Sequence, residues 1–205
     1  MKNKLLIFCI TCIGMFMLSA CTSPMPAKNE YRLQSDMQIS KSAKTLCATK
    51  TLKVDQAFSD NLYKSLKMYY VEGKYRQYAY ANSRWVQSIN DAVTKEITQY
   101  LRAIELFASV QNASSKTEND LRLEISIDDF MQYFDANEKN SYVNVMLTCN
   151  LIDENTHKIV TTKTFHTKMK TDSDDARGGV IALNKALESI LKECGLWLQG
   201  VCIDK

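Results

Sequence analysis

Glycine and proline are scarce in this chain, 6 and 2 among 205 residues, and no low-complexity segment or internal repeat interrupts it. Both prolines, Pro24 and Pro26, fall near the amino end, so the remainder is folded body rather than linker. There is no excess of one charge. Without Lys2 and Lys4, the only cations of the first 20 residues, 24 basic side chains face 23 acidic ones. A near-neutral chain without basic blocks does not suit nucleic acid, where neutralising phosphate dominates affinity. There are only two histidines, His157 and His166, and no G-x-S-x-G, H-E-x-x-H or C-x-x-C follows residue 20. That removes the usual signatures of serine hydrolases, zinc proteases and thioredoxin-like redox sites. Ser189-Ile-Leu-Lys192 and Ser59-Asp60-Asn61 match S-x-x-K and S-D-N, but in reversed order and without K-T-G, so they are chance matches. Neither an enzyme nor a metal site is expected.

A long hydrophobic run is also lacking. Residues 5–20 are largely apolar, yet sixteen helical residues reach only ~24 Å, short of the ~30 Å hydrocarbon core. Two lysines, the apolar run and then Ser19-Ala20 give the order of a cleavable secretory signal. Leu18-Ser19-Ala20-Cys21 resembles the lipobox of bacterial lipoproteins. The resemblance implies cleavage before Cys21, a diacylglycerol on its thiol and a palmitate-type acyl chain on the new amino terminus. Two or more chains give lasting attachment where one is marginal. Thr22 and Ser23 follow, with no aspartate after the cysteine, which by the enterobacterial sorting rule implies the outer membrane, periplasmic face; the inner membrane stays open. Expected boundaries are a signal over 1–20, a lipidated terminus and tether over 21–28, and one periplasmic domain over 29–205. Cys47, Cys149, Cys194 and Cys202 remain, with three pairings open; Cys149 and Cys194 lie on apolar faces and read as buried free thiols.

Periodicity supplies the elements. Leu121, Leu123, Ile125 and Ile127 alternate with polar residues, which predicts a half-buried strand ended in solvent by Asp128-Asp129. Val143 to Leu151 alternates likewise, and "DENTHK" turns it into a β-branched run from Ile159, a long hairpin. Two Tyr-rich runs around Glu72-Gly73 predict a second hairpin; 31–33, 51–54 and 106–110 are shorter candidates. Ile89, Val93, Ile97, Tyr100 or Leu101, and Ile104 form one helical stripe, opened by a Ser88–Asp91 capping box. A second runs from Ala176 through Val180, Leu183, Leu187, Ile190 and Cys194 to Trp197, behind the acidic run Asp172–Asp175. Gly178-Gly179 weakens its first turns unless close packing requires them. The expected fold is α+β: a two-layer sandwich, an antiparallel-rich sheet with two main amphipathic helices on one face.

The order of parts, a lipobox, a Tyr-x-Leu strand at 31–33, a Tyr-rich hairpin running into Ser83-Arg84-Trp85, "LFASV", "LRLEISIDDF", a hairpin and a closing helix ending "LWL", resembles the ABC-type transport auxiliary lipoprotein family, which includes the PqiC-like lipoproteins. Prolines common in that family before the first helix are replaced here by "VQSIN". The resemblance implies a non-catalytic subunit that works with an MCE-domain protein and ABC transporter components to move phospholipid or related lipid across the periplasm, in some cases as a homo-oligomeric ring. Beyond the lipid at Cys21 it implies no cofactor. Tyr78, Tyr80, Arg84 and Trp85 are the candidates for partner or lipid contact, because Tyr, Trp and Arg favour interfaces and a guanidinium seeks carboxylate or phosphate. Core packing for Trp85, an internal ion pair for Arg84 and ordinary sheet packing for the tyrosines are the structural alternatives. The rival function is a stand-alone envelope lipoprotein serving outer-membrane assembly or binding a ligand without a transporter, which the same fold would suit.

Overall fold

A computed structural model describes residues 27–37, 41, 46–135 and 140–203; the signal, Cys21 and most of the tether lie outside them. Strands β1 (Asn29–Tyr31), β2 (Thr51–Val54), β3 (Phe58–Ser59), β4 (Lys67–Glu72) and β5 (Arg76–Trp85) precede helix α1 (Ile89–Ala103). Strands β6 (Ser109–Asn112), β7 (Leu121–Phe134), β8 (Ser141–Asp153) and β9 (Lys158–Lys170) follow, and helix α2 (Ala176–Val201) closes the chain. Short 3-10 turns occupy Leu46–Thr49 and Asn61–Lys64. The fold is α+β, an open mixed sheet with two helices.

Strand β7 is the spine. One edge pairs antiparallel with β8 along its full length, and β8 pairs antiparallel with β9. Its other edge takes three short parallel partners in turn: β2 at Leu121–Leu123, β3 at Ser126–Ile127 and β4 at Gln132–Phe134. Beyond β4 the order continues to β5 and β1, and beyond β2 to β6. The long pairings are antiparallel hairpins, as alternation and turn residues dictate, with His157 in the left-handed region at φ 54° in the β8–β9 turn. The parallel pairings join segments with no local signal linking them.

The strand does not end at Asp128-Asp129. Asp128 is the extra residue of a bulge between the Ile127–Leu147 and Asp129–Met146 pairs. It shifts the inward set from Leu123, Ile125 and Ile127 to Phe130, Gln132 and Phe134. Asp129 turns to the other side, where Tyr63, Tyr133 and Asn144 donate to its carboxylate at 3.3, 2.6 and 2.7 Å. Burial and this carboxylate push both phenols upward. Two other expectations change. Ser88 precedes α1 as expected, but its hydroxyl donates to Asp91 and makes no bond to the helix backbone. The strand expected over 106–110 begins at Ser109, with Leu106 and Phe107 buried ahead of it.

Core residues of β7 and β8 pack under both helices. Leu183, Leu187, Ile190, Leu191 and Leu198 of α2 are fully buried, each contributing roughly 1.5–3 kcal/mol by leaving water. Trp197 meets Phe165 of β9 edge to face, ring centroids 5.7 Å apart. At its end Cys202 is disulfide-bonded to Cys47, Cα atoms 5.3 Å apart across 155 residues of sequence. Cys149 and Cys194 are buried free thiols, and Cys149 together with burial pushes the Cys194 thiol up. Among the described residues no helix is long and apolar enough to cross a membrane.

Candidate docking surface

The β4–β5 hairpin carries the candidate contacts. Gly73 makes its turn at φ +62°, where a side chain would be strained. Tyr70 stands opposite Tyr78. Its ring lies 5.7 Å from that of Tyr78, 4.6 Å from Tyr80 and 5.3 Å from Phe134. The outer part of the hairpin reaches solvent: Tyr75, in the turn, is 84% exposed and Tyr78 41%. The inner part is fixed. The Tyr80 hydroxyl donates to Gln132 Oε1 at 2.9 Å, and burial, then Tyr70, push this phenol up.

Gln132 links the hairpin to α2. It is 3% exposed and its Nε2 donates to Ser141 Oγ at 2.9 Å and to the Asp175 carbonyl at 3.2 Å. Asp175 caps α2, its Oδ1 accepting from the Gly178 N–H at 2.7 Å, which holds its carboxyl below the usual carboxylate range. The glycine pair follows from this crowding. A Cβ on Gly179 would lie 2.0 Å from Gln132 Oε1, and one on Gly178 would lie 2.0 Å from the Ser173 carbonyl oxygen. Close packing is therefore what the doublet serves.

The four candidates do not converge. Between the Lys67–Arg84 and Tyr69–Ala79 pairs, β5 advances five positions while β4 advances two. This irregularity breaks strict alternation and turns both Tyr80 and Trp85 inward, where they line one small cavity with Met68, Phe130 and Leu183. The cavity measures about 20 Å³, room for a water molecule and no acyl chain. Trp85 is 5% exposed, at the junction of hairpin and α1. Arg84 stays at the surface and donates to Glu30 of β1, through Nε at 2.8 Å and through Nη2. Beside it Lys28, Leu66, Lys67 and Ser83 border an open groove of about 450 Å³, at the point where the chain enters the sheet.

Sequence reasoning missed Gln132, Asp129 and Arg122. Arg122 pairs with Glu154, Asp55 and Glu124 at 2.5, 3.1 and 2.6 Å, and Glu154 foremost pushes its guanidinium pKa up. Only the odd Gly178-Gly179 doublet in a strong helix hinted at Gln132; the others had no local signal. Cys194 and the buried Tyr63, Tyr80 and Tyr133 are all shifted towards their protonated forms, burial contributing to each. Among the described residues no group of three or more His, Cys, Asp or Glu is placed to hold a metal.

The model of the family described as ABC-type transport auxiliary lipoprotein component matches residues 31–194. The chain belongs to this family. It is thus related to envelope lipoproteins that serve ABC-type transport. A crystal structure of a Xanthomonas campestris protein from the DUF330 family superposes with a TM-score of 0.75 at 16% identity, covering 84% of this chain and 95% of that one. A second crystal structure, of an uncharacterized protein, gives 0.64 at 14% identity and covers 84% and 99%. The PelC dodecamer from Paraburkholderia phytofirmans is matched at 11% identity over 81% and 95%, with a TM-score of 0.39, too low to carry an argument about assembly. No curated protein matches the chain.

Proposed function

We propose that this protein is a non-catalytic, lipid-anchored subunit of an ABC transport system of the MCE type, moving phospholipid or related lipid across the periplasm. Residues 1–20 are the signal, acyl chains at Cys21 hold the protein to the outer membrane, 22–28 are the tether and 29–205 form the docking domain. The observation that carries the reading is the family match, which begins at residue 31, ten positions behind Cys21. Docking, rather than carrying, is favoured by a core whose small cavity takes one water, beside a hairpin that exposes Tyr75 and Tyr78. Anchoring raises the local concentration of that surface, so a weak contact with an MCE-domain protein is occupied. A homo-oligomeric ring would multiply the same contact.

The test is a tagged pull-down from gently solubilised native envelopes, with mass spectrometry of proteins and lipids. Recovery of an MCE-domain protein and an ATPase supports the reading, and Tyr75→Ala with Tyr78→Ala should then reduce that recovery. Recovery of the lipoprotein alone would favour the stand-alone envelope role. Replacing Cys21 by Ser should abolish acyl labelling; unchanged labelling would refute the anchor.

A further inference from the structure

We propose that the groove beside Arg84 seats anionic phospholipid headgroups, so that the domain rests with this side on the bilayer that holds its anchor. The inference builds on acylation of Cys21. Residues 22–28 span at most ~25 Å fully extended. A folded body of this length has a radius of gyration of roughly 16 Å, hence a diameter of about 40 Å. The tether is shorter than the body is wide, so surfaces around the start of β1 meet the membrane first.

What stands at that place suits an anionic interface. Lys28, Lys67 and Arg84 border the groove, and Leu66 beside them is 44% exposed. Glu30 balances Arg84, whereas among the described residues Lys28 and Lys67 pair with no carboxylate. Two uncompensated ammonium groups flank an apolar side chain: the cations match phosphate oxygens, and Leu66 can enter the headgroup layer. Strand β9 is also basic, with Lys158, Lys163, Lys168 and Lys170. It lies at the opposite edge of the sheet, five strand spacings or about 24 Å from β1, a distance the tether covers only when fully extended along the sheet, whereas the groove lies where the tether joins the body.

The experiment uses the full acylated chain, its intact mass reporting the lipid on Cys21, reconstituted into phosphatidylcholine vesicles with or without phosphatidylglycerol. Lysines are acetylated over time and read by peptide mass spectrometry. With phosphatidylglycerol, Lys28 and Lys67 should react roughly five-fold more slowly, as expected of lysines at an anionic surface, and high salt should restore their rates. Lys158 and Lys163 should be unchanged. An acylated chain whose Lys28 and Lys67 react equally in both vesicles, or whose protection appears on β9 instead, overturns the groove alone. A mass without acyl chains overturns the anchor and the orientation built on it.

Discussion

Gly179→Ala should change sign with the residue at position 132. Alanine raises helix propensity by ~1 kcal/mol over glycine, so in an open helix the substitution stabilises. Here the new methyl would lie 2.0 Å from Gln132 Oε1. Gln132 cannot swing aside without giving up its bonds to Tyr80, Ser141 and the Asp175 carbonyl, and forced overpacking costs ~1–3 kcal/mol. In the native background the net effect is a loss of up to ~2 kcal/mol. In a Gln132→Ala background, already weakened by ~1–3 kcal/mol through the unpaired Tyr80 hydroxyl and its neighbours, the clash is gone and the same substitution should gain ~1 kcal/mol. Gly178→Ala is the internal control, because its methyl meets the Ser173 backbone carbonyl and Gln132→Ala should not rescue it. Urea unfolding without reductant reads all six chains, with comparison of midpoints valid where the slope is constant. A Gly179→Ala effect equal in the two backgrounds within ~0.5 kcal/mol would refute the account.

Three further outcomes are expected. Alkylation of the unfolded, unreduced mature protein should mark Cys149 and Cys194 alone, and reduction of the Cys47–Cys202 bond should lower stability by ~2–5 kcal/mol in the chain-entropy picture; four alkylated cysteines before reduction would contradict it. Trp85→Ala should cost ~3–5 kcal/mol from lost burial, whereas Arg84→Ala, breaking an exposed pair, should cost under ~1 kcal/mol; comparable losses in thermal unfolding would be inconsistent. Thr51, through its N–H and then its hydroxyl, lowers the Asp120 pKa, and Gly178 lowers that of Asp175. Folded values below the unfolded ~3.9 mean stability that is complete above about pH 4 and lost as pH falls through the folded values. Asp120→Asn should therefore flatten the acid limb of the stability curve and leave its slope near neutrality alone.

The sequence made the long elements legible because their signals are local. Alternation from Leu121 and from Val143 and the α2 stripe each arise from one face meeting one core, and burial in the structure follows them except at the ends, where Leu121 and Trp197 are half-buried. What could not be read depends on distant partners. Leu52, Phe58 and Tyr70 lie in three short strands that share one edge of β7, and nothing in their own neighbourhoods names that edge. Asp128-Asp129 has the composition of a strand end, yet a bulge carries the strand through it. Pairing of Cys47 with Cys202 required the end of α2 to be placed beside the turn at Leu46–Thr49. In the candidate site, the tyrosine hairpin and its Gly73 turn were visible, but the irregularity that separates inward Tyr80 and Trp85 from outward Arg84 was not.

That irregularity divides the hairpin into two mechanical parts. At the inner end Trp85 is in the core, its N–H donates to the Leu66 carbonyl at 2.8 Å, and Tyr80 is bound to Gln132 and so to the cap of α2. At the outer end Tyr75 and Tyr78 protrude; Glu72 pairs with Arg76 across the hairpin, and Val71, Glu72 and the Gly73 N–H to the Phe134 carbonyl join its base to the end of β7. Substitution inside is thus felt by the fold, and substitution outside by whatever the hairpin touches. The docking role proposed above is served by this arrangement, because an aromatic tip carried on a base held by Trp85 and Tyr80 has less freedom to lose on contact than a free loop would.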